Sequence, residues 1–312
     1  MMDWTDRHCR YFLRQLSPRF GLYTEMVTAA ALLHGDAQRF LQFDASEHPV
    51  ALQLGGAEPA MMAEAAALGA AAGYDEININ VGCPSDRVQN GQFGACLMAD
   101  PDRVARCVAA MRKSVTVPVT VKTRIGIDEH DSFDYLENFI ATVAAAGCST
   151  FIVHARIAIL EGLSPKENRS VPPLNYARVY RLKEEYPDLT IILNGGITTT
   201  AQADEHLAKV DGVMIGRQAY HDPWFLVELD RAHGRGSDTL QRHDVVERMR
   251  PYIEAQLAGG AQLKHITRHM LGLFAGQPGA RAWRRYLSQH AHQAGSDFAV
   301  LEQALAAMPR AA

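Results

Sequence analysis

Short apolar runs alternate with longer amphipathic stretches from residue 20 to about residue 233, a pattern that predicts strands and helices in turn. The runs are GLYTEM (21–26), VALQLGG (50–56), EININVG (76–82), VPVTVKTR (117–124), TFIVHAR (150–156), TIILNGG (190–196) and GVMIGR (212–217). Between them, residues 58–72, 101–113, 132–146, 175–186 and 200–208 read as helices. Asp100-Pro101 is an N-cap followed by proline in the first turn, and Gly73 and Gly147 suit helix C-terminal caps. Strand–helix alternation means a parallel sheet. Seven such repeats predict an α/β fold, a TIM (β/α)8 barrel whose first strand is missing from this chain, leaving a sheet edge where the barrel should close.

After Gly234-Arg235-Gly236 the strand pattern stops and four helical stripes follow. They are Val245, Val246, Met249, Ile253 and Leu257; then Ile266, Met270, Leu273 and Phe274; then Trp283, Tyr286, Leu287 and His290; then Phe298, Leu301, Leu305 and Met308. Short connections rich in glycine predict an α-helical bundle, and Pro251 should kink its first helix. The expected division is a barrel domain over 1–235 and a helical domain over 236–312.

Composition narrows the chemistry. The chain has 312 residues, 47% of them hydrophobic, so it can bury a full core. Its five cysteines form no C-x-x-C pair, which argues against a disulfide framework and against a thiolate metal site. No signal peptide or membrane-length apolar run is present, so a cytoplasmic location is expected. A net charge of −4 excludes polyanion binding by overall charge and leaves it to local clusters. Two such clusters stand out: Lys166 with Arg169, and Arg281 with Arg284 and Arg285. Each reads either as a nucleic-acid contact or as an ordinary solvated face.

The segment ININVGCPSDRVQNGQFGACLM, residues 77–98, carries the sharpest signal. Cys83 follows a strand directly and is flanked by Gly82 and Pro84, with a glycine-bearing loop behind it that could fold over whatever the thiol faces. Ile77, Ile79 and Val81 alternate with Asn78, Asn80 and Gly82, so one face of the strand bears amides. Buried amides are costly unless something there needs hydrogen bonds.

Active sites of barrels lie at the C-terminal strand ends. Here those ends carry Gln53, Asn80, Cys83, Lys122, Arg124, His154, Arg156, Asn194 and Arg217. Asn194-Gly195-Gly196 and Gly216-Arg217 close the last two runs, where barrels commonly hold a phosphate. Lys122, set between valine and threonine on a strand, needs an anion: either a structural carboxylate or an electron-rich cofactor ring. His154 is a candidate cofactor contact.

Together these segments resemble the tRNA-dihydrouridine synthases, most closely their A-type branch. The likeness spans MMDWTDRHCR, QLGG, NINVGCPSDRVQNGQFGACLM, VKTRIGID, VHAR, LSPKENR, PPLNY, NGGI, IGRQAY and WRRYLS. It implies an FMN enzyme that uses NADPH to reduce D-loop uridines of tRNA at positions 20 and 20a, working as a monomer. By motif, Gln53, Lys122, His154, Asn194, Gly195, Gly196, Gly216 and Arg217 would hold FMN, and Met1 and Met2 would line it. Cys83 would be the catalytic acid, delivering a proton to uracil C5 after hydride addition at C6. Asn80 would contact the base, and Lys166, Arg169, Arg281, Arg284 and Arg285 the tRNA. Ile157 and Ile159 stand where the family carries lysine and tryptophan. The family's opening strand, with its alanine-proline before the methionines, is also absent. A flavin barrel acting on a free pyrimidine and a non-catalytic RNA binder are the competing readings.

Overall fold

The computed structural model describes residues 1–85, 91–306 and 308. The Cys83 loop expected to fold over the thiol therefore lies partly outside the described residues. Two compact units emerge: Met1, Gly21–Gln42 and His48–Ile215 form the first, and Met2–Phe20, Phe43–Glu47 and Gly216–Ala312 the second.

The first unit is built on a parallel sheet of seven described strands in chain order. They are β1 (Leu22–Thr28), β2 (Val50–Gly55), β3 (Glu76–Val81), β4 (Val119–Arg124), β5 (Thr150–His154), β6 (Thr190–Asn194) and β7 (Gly212–Met214). Every neighbouring pair is parallel, and β1 and β7 are the two edges. This is the winding of a (β/α)8 barrel in part: a curled sheet with a crossover after each strand.

The helices fall where capping chemistry puts them. The Asp100 side chain accepts from Arg103 N at the start of Pro101–Ser114. Gly73 and Gly147 take positive φ just beyond Pro59–Ala71 and Phe133–Ala145. Leu52 and Ile77 lie against Gly69 of the helix Pro59–Ala71, where a Cβ would approach them to 2.5 and 2.8 Å. The odd-numbered positions of β3 thus face the helical layer, and Glu76, Asn78 and Asn80 face the concave side.

The second unit gathers the helix Arg7–Leu16 with the C-terminal helices. Arg10 meets the fully buried Glu47 at 2.6 Å, and Arg14 donates to Glu47 O at 2.7 Å, which ties in the segment 43–47. Asp6 caps the same helix through Cys9 N and pairs with Arg268 at 2.6 Å and His269 at 3.0 Å. Burial raises its carboxyl, but the bonds to His269, Cys9 N and Arg268 outweigh that and hold it well below the usual range.

The first predicted stripe splits into Arg242–Arg248 and Arg250–Ala258, with Pro251 in the first turn of the second piece. Residues 266–274, expected as one helix, form only Leu263–Thr267 and then turns. The burial repeats because successive i→i+3 bonds, such as Met270 N to Thr267 O and Leu273 N to Met270 O, keep nearly the helical period. No described helix is long and apolar enough to cross a membrane.

Candidate active site

Parallel register brings the predicted residues of the first unit together over the last residues of the strands, at successive levels of the sheet. Asn80 lies opposite Lys122, Arg124 opposite His154, and His154 opposite Asn194. Gln53 is opposite Asn78, one step below. Side chains from β2 to β6 therefore share the C-terminal end of the concave face.

Cys83 sits in the turn just past β3, half-buried, with Sγ 3.6 Å from Ser85 Oγ. All four backbone polar groups of residues 82 and 83 are bonded. Gly82 N and Cys83 N donate to Asn80 Oδ1 at 3.1 and 3.0 Å, Gly82 O accepts from Arg124 Nε at 2.9 Å, and Cys83 O accepts from Ala95 N at 2.9 Å. A turn so completely satisfied holds its side chain in one direction. Asn80 also donates to Gln53 Oε1 at 2.8 Å, so its amide is engaged at both ends within the protein.

Lys122 has no hydrogen-bond or ion-pair partner among the described residues, and no described carboxylate pairs with it. Loss of water and the neighbouring Arg124 lower its ammonium to about 8, against an attraction to the Cys83 sulfur. A partly buried cation with no counter-ion among the described residues suits an anionic or electron-rich ligand. Arg124 is buried, and burial brings its guanidinium down to about 10. Its Nη1 donates to Ile157 O at 2.8 Å and Asn168 O at 3.0 Å, so one side chain braces both the Cys83 turn and the loop after β5.

That loop is organised by Asn168, which is fully buried. Its Oδ1 accepts from Ile159 N at 2.8 Å, and its Nδ2 donates to Ile159 O at 2.8 Å and Leu163 O at 3.1 Å. Lys166 is exposed beside it and Arg169 is half-buried. Ile157 and Ile159 thus contribute backbone groups to this framework. Arg156 bonds the carbonyls of Ser170 and Pro172 on the same side.

Asn194 donates to Met214 O at 2.7 Å, joining the ends of β6 and β7. Gly195 and Gly196 follow with φ of 120° and 75°. A Cβ on Gly196 would come within 2.6 Å of both Leu174 and the Tyr176 hydroxyl, and one on Gly195 within 3.4 Å of His154 Nε2. Only glycine fits both the dihedrals and the space, and this leaves bare backbone at the position expected for a phosphate. Gln53, with one amide hydrogen beyond its bond to Asn78, and Lys122 are donors suited to a flavin's carbonyl-bearing ring.

Met1 belongs to the same unit. Met2, Gly216 and Arg217 belong to the second, where Met2 is 55% exposed and Arg217 opens the helix Arg217–His221. In that unit Arg281, Arg284 and Arg285 are all exposed on the helix Ala280–His290, and Trp283 and Leu287 are buried on its other side. Spacings of three and four put the three guanidiniums on one face.

Below the amides of β3, Tyr23, Glu76 and Thr120 escaped the sequence reading. Glu76 Oε1 accepts from Tyr23 at 2.8 Å and from Thr120 at 2.5 Å. A polar residue two positions before Asn78 on the same strand face was the one available signal.

A family model described as dihydrouridine synthase (Dus) matches residues 1–310. Three similar proteins are each called tRNA-dihydrouridine(20/20a) synthase. The one from Salmonella typhimurium is 61% identical over 308 residues, covering 98% of this chain and 92% of its own. Those from Escherichia coli K12 and Vibrio vulnificus are 60% and 57% identical, covering 98% and 99% of this chain and 89% and 95% of theirs.

Proposed function

Because the chain belongs to the dihydrouridine synthase family, we propose that it reduces uridine to 5,6-dihydrouridine in the D-loop of tRNA, at positions 20 and 20a, with FMN bound and NADPH as reductant. The observation that carries this reading is the Lys122 ammonium, which has no counter-ion among the described residues and lies near Cys83 at the sheet end where a barrel does chemistry. Gln53, Lys122, His154, Asn194, Gly195 and Gly196 would hold the flavin. Met1, Met2, Gly216 and Arg217 join that set on the family resemblance alone.

A bound reduced flavin supplies a hydride for C6 of the uracil ring. The remaining work falls to the protein. Charge that builds on C5 and O4 must be met by a proton, and Cys83 Sγ gives its hydrogen to C5. Lys122 and Arg124 offset the negative charge left on sulfur, which regains its proton from solvent. The uridine has to leave its stack to reach this depth, so the tRNA body must be held elsewhere. Lys166, Arg169, Arg281, Arg284 and Arg285 are the proposed phosphate contacts, in keeping with a net charge of −4 that leaves RNA binding to local clusters. In these terms, 1–235 is the catalytic part and 236–312 the tRNA-holding part, acting in the cytoplasm as a monomer.

Purified protein given NADPH should reduce unmodified tRNA, with a mass gain of about 2 Da per uridine from the added hydride and proton, and should leave free uracil untouched. Reduction of the free base with tRNA unchanged would instead make it a pyrimidine dehydrogenase. RNA binding with neither reduction would leave only a binding role.

A further inference from the structure

A continuous run of side-chain hydrogen bonds leads from the lower end of β3 to the Cys83 turn. Asparagine and glutamine amides are nearly symmetric in outline, so their orientation is set by whether each neighbour can donate or accept. Glu76 Oε1 takes the hydroxyl hydrogen of Thr120 at 2.5 Å. The Thr120 oxygen then has only lone pairs to offer, and it accepts from Asn78 Nδ2 at 2.8 Å. That turns Asn78 Oδ1 toward Gln53 Nε2 at 2.8 Å, and Gln53 Oε1 toward Asn80 Nδ2 at 2.8 Å. Asn80 Oδ1 is left to accept from Gly82 N and Cys83 N. Each orientation follows from the one before, and the far end consists of backbone N–H groups that can only donate. Asn78 is fully buried and Thr120 nearly so, so neither can exchange its partner for water.

We infer that Thr120, anchored on Glu76, is a positioning residue for the proton transfer: through Asn78, Gln53 and Asn80 it sets the amide orientation that holds the Cys83 turn. The inference rests on the proposed role of Cys83 as the acid. Among the described residues, the side-chain hydrogen bonds of Thr120 run to Glu76 and Asn78 and none reaches the turn. Its influence runs through three amides whose alternative orientations would present an N–H to another N–H.

The test compares Thr120→Val, which keeps shape and removes the hydroxyl, with Thr120→Ser, which keeps the hydroxyl. Two readouts are taken on flavin-loaded protein: steady-state dihydrouridine formation, and the rate at which iodoacetamide alkylates Cys83. Thr120→Val should lower kcat about tenfold with KM for tRNA unchanged, the effect of losing one buried hydrogen bond. It should also speed alkylation of Cys83 several-fold, and NADPH should still reduce the flavin at the normal rate. Thr120→Ser should match wild type in every respect.

The inference is overturned if Thr120→Val stays within twofold of wild type on both readouts, if Thr120→Ser is equally impaired, or if turnover falls while alkylation is unmoved. Should Thr120→Val fail to fold, Asn78→Asp carries the test. It keeps size but puts an acceptor where Thr120 needs a donor, so the same two changes are expected and wild-type behaviour would refute the idea. If wild type itself formed no dihydrouridine, the functional reading would fall. The alkylation rates would still report on the hydrogen-bond run.

Discussion

Replacing Cys83 with alanine should abolish nearly all dihydrouridine formation while NADPH continues to reduce the flavin. The loss expected for removing a positioned general acid is about 10²- to 10⁴-fold. The substitution should be well tolerated structurally. The turn is held by the backbone of residues 82 and 83, through Asn80, Arg124 and Ala95, and among the described residues the one hydrogen-bond partner of Sγ is Ser85. Rapid-mixing absorbance measures the flavin step and mass spectrometry of digested tRNA measures product, so the two halves of the reaction are read separately. Product at near the wild-type rate would remove Cys83 as the acid.

The second large effect is expected at Lys122. Changing it to methionine keeps the stem and deletes the charge, and should cost about tenfold or more in flavin affinity and about a hundredfold in turnover. The pH dependence gives a sharper signature. Burial and Arg124 bring the ammonium down to about 8, so it is charged below that pH and neutral above it. A bound anion draws the proton back and raises that value. Flavin affinity in wild type should therefore be flat at lower pH and fall as pH rises through about 8, whereas Lys122→Met should lack that fall. Titrating flavin fluorescence between pH 6 and 10 (a range chosen to span the shift) checks both. A fall of equal size in the variant would assign the pH dependence elsewhere.

Much of the site was legible because strand chemistry is local. The alternation of Ile77 and Ile79 with Asn78 and Asn80 correctly indicated which face carries the amides, and positive φ with close packing explains the glycines at 195 and 196. What stayed hidden depends on register between strands distant in sequence. Thr120 meets Asn78 and Glu76 only because β4 is shifted against β3 by the observed amount, and no spacing within either strand specifies that shift. Asn168 was hidden for a related reason. An asparagine in a polar loop reads as solvated, and its burial follows from the loop closing around it.

In the second unit, the helix Arg7–Leu16 buries one face, and the sequence did not indicate its partner. That partner emerged from the Arg10–Glu47 pair and the Asp6 cluster, all formed between segments far apart in the chain. Pro251 was expected to kink a single helix; the chain instead breaks at Met249 and starts a new helix with the proline in its first turn. The turns after Thr267 were not legible either, because burial there keeps the helical period without a helix.

Mapping dihydrouridine at single-nucleotide level in tRNA from cells lacking this gene bears most directly on the whole scheme. Unmodified uridines at positions 20 and 20a should return to dihydrouridine when the wild-type chain is expressed, and should stay as uridine with Cys83→Ala. Restoration by both proteins, or by neither, would contradict the account of a tRNA reductase that works through this thiol.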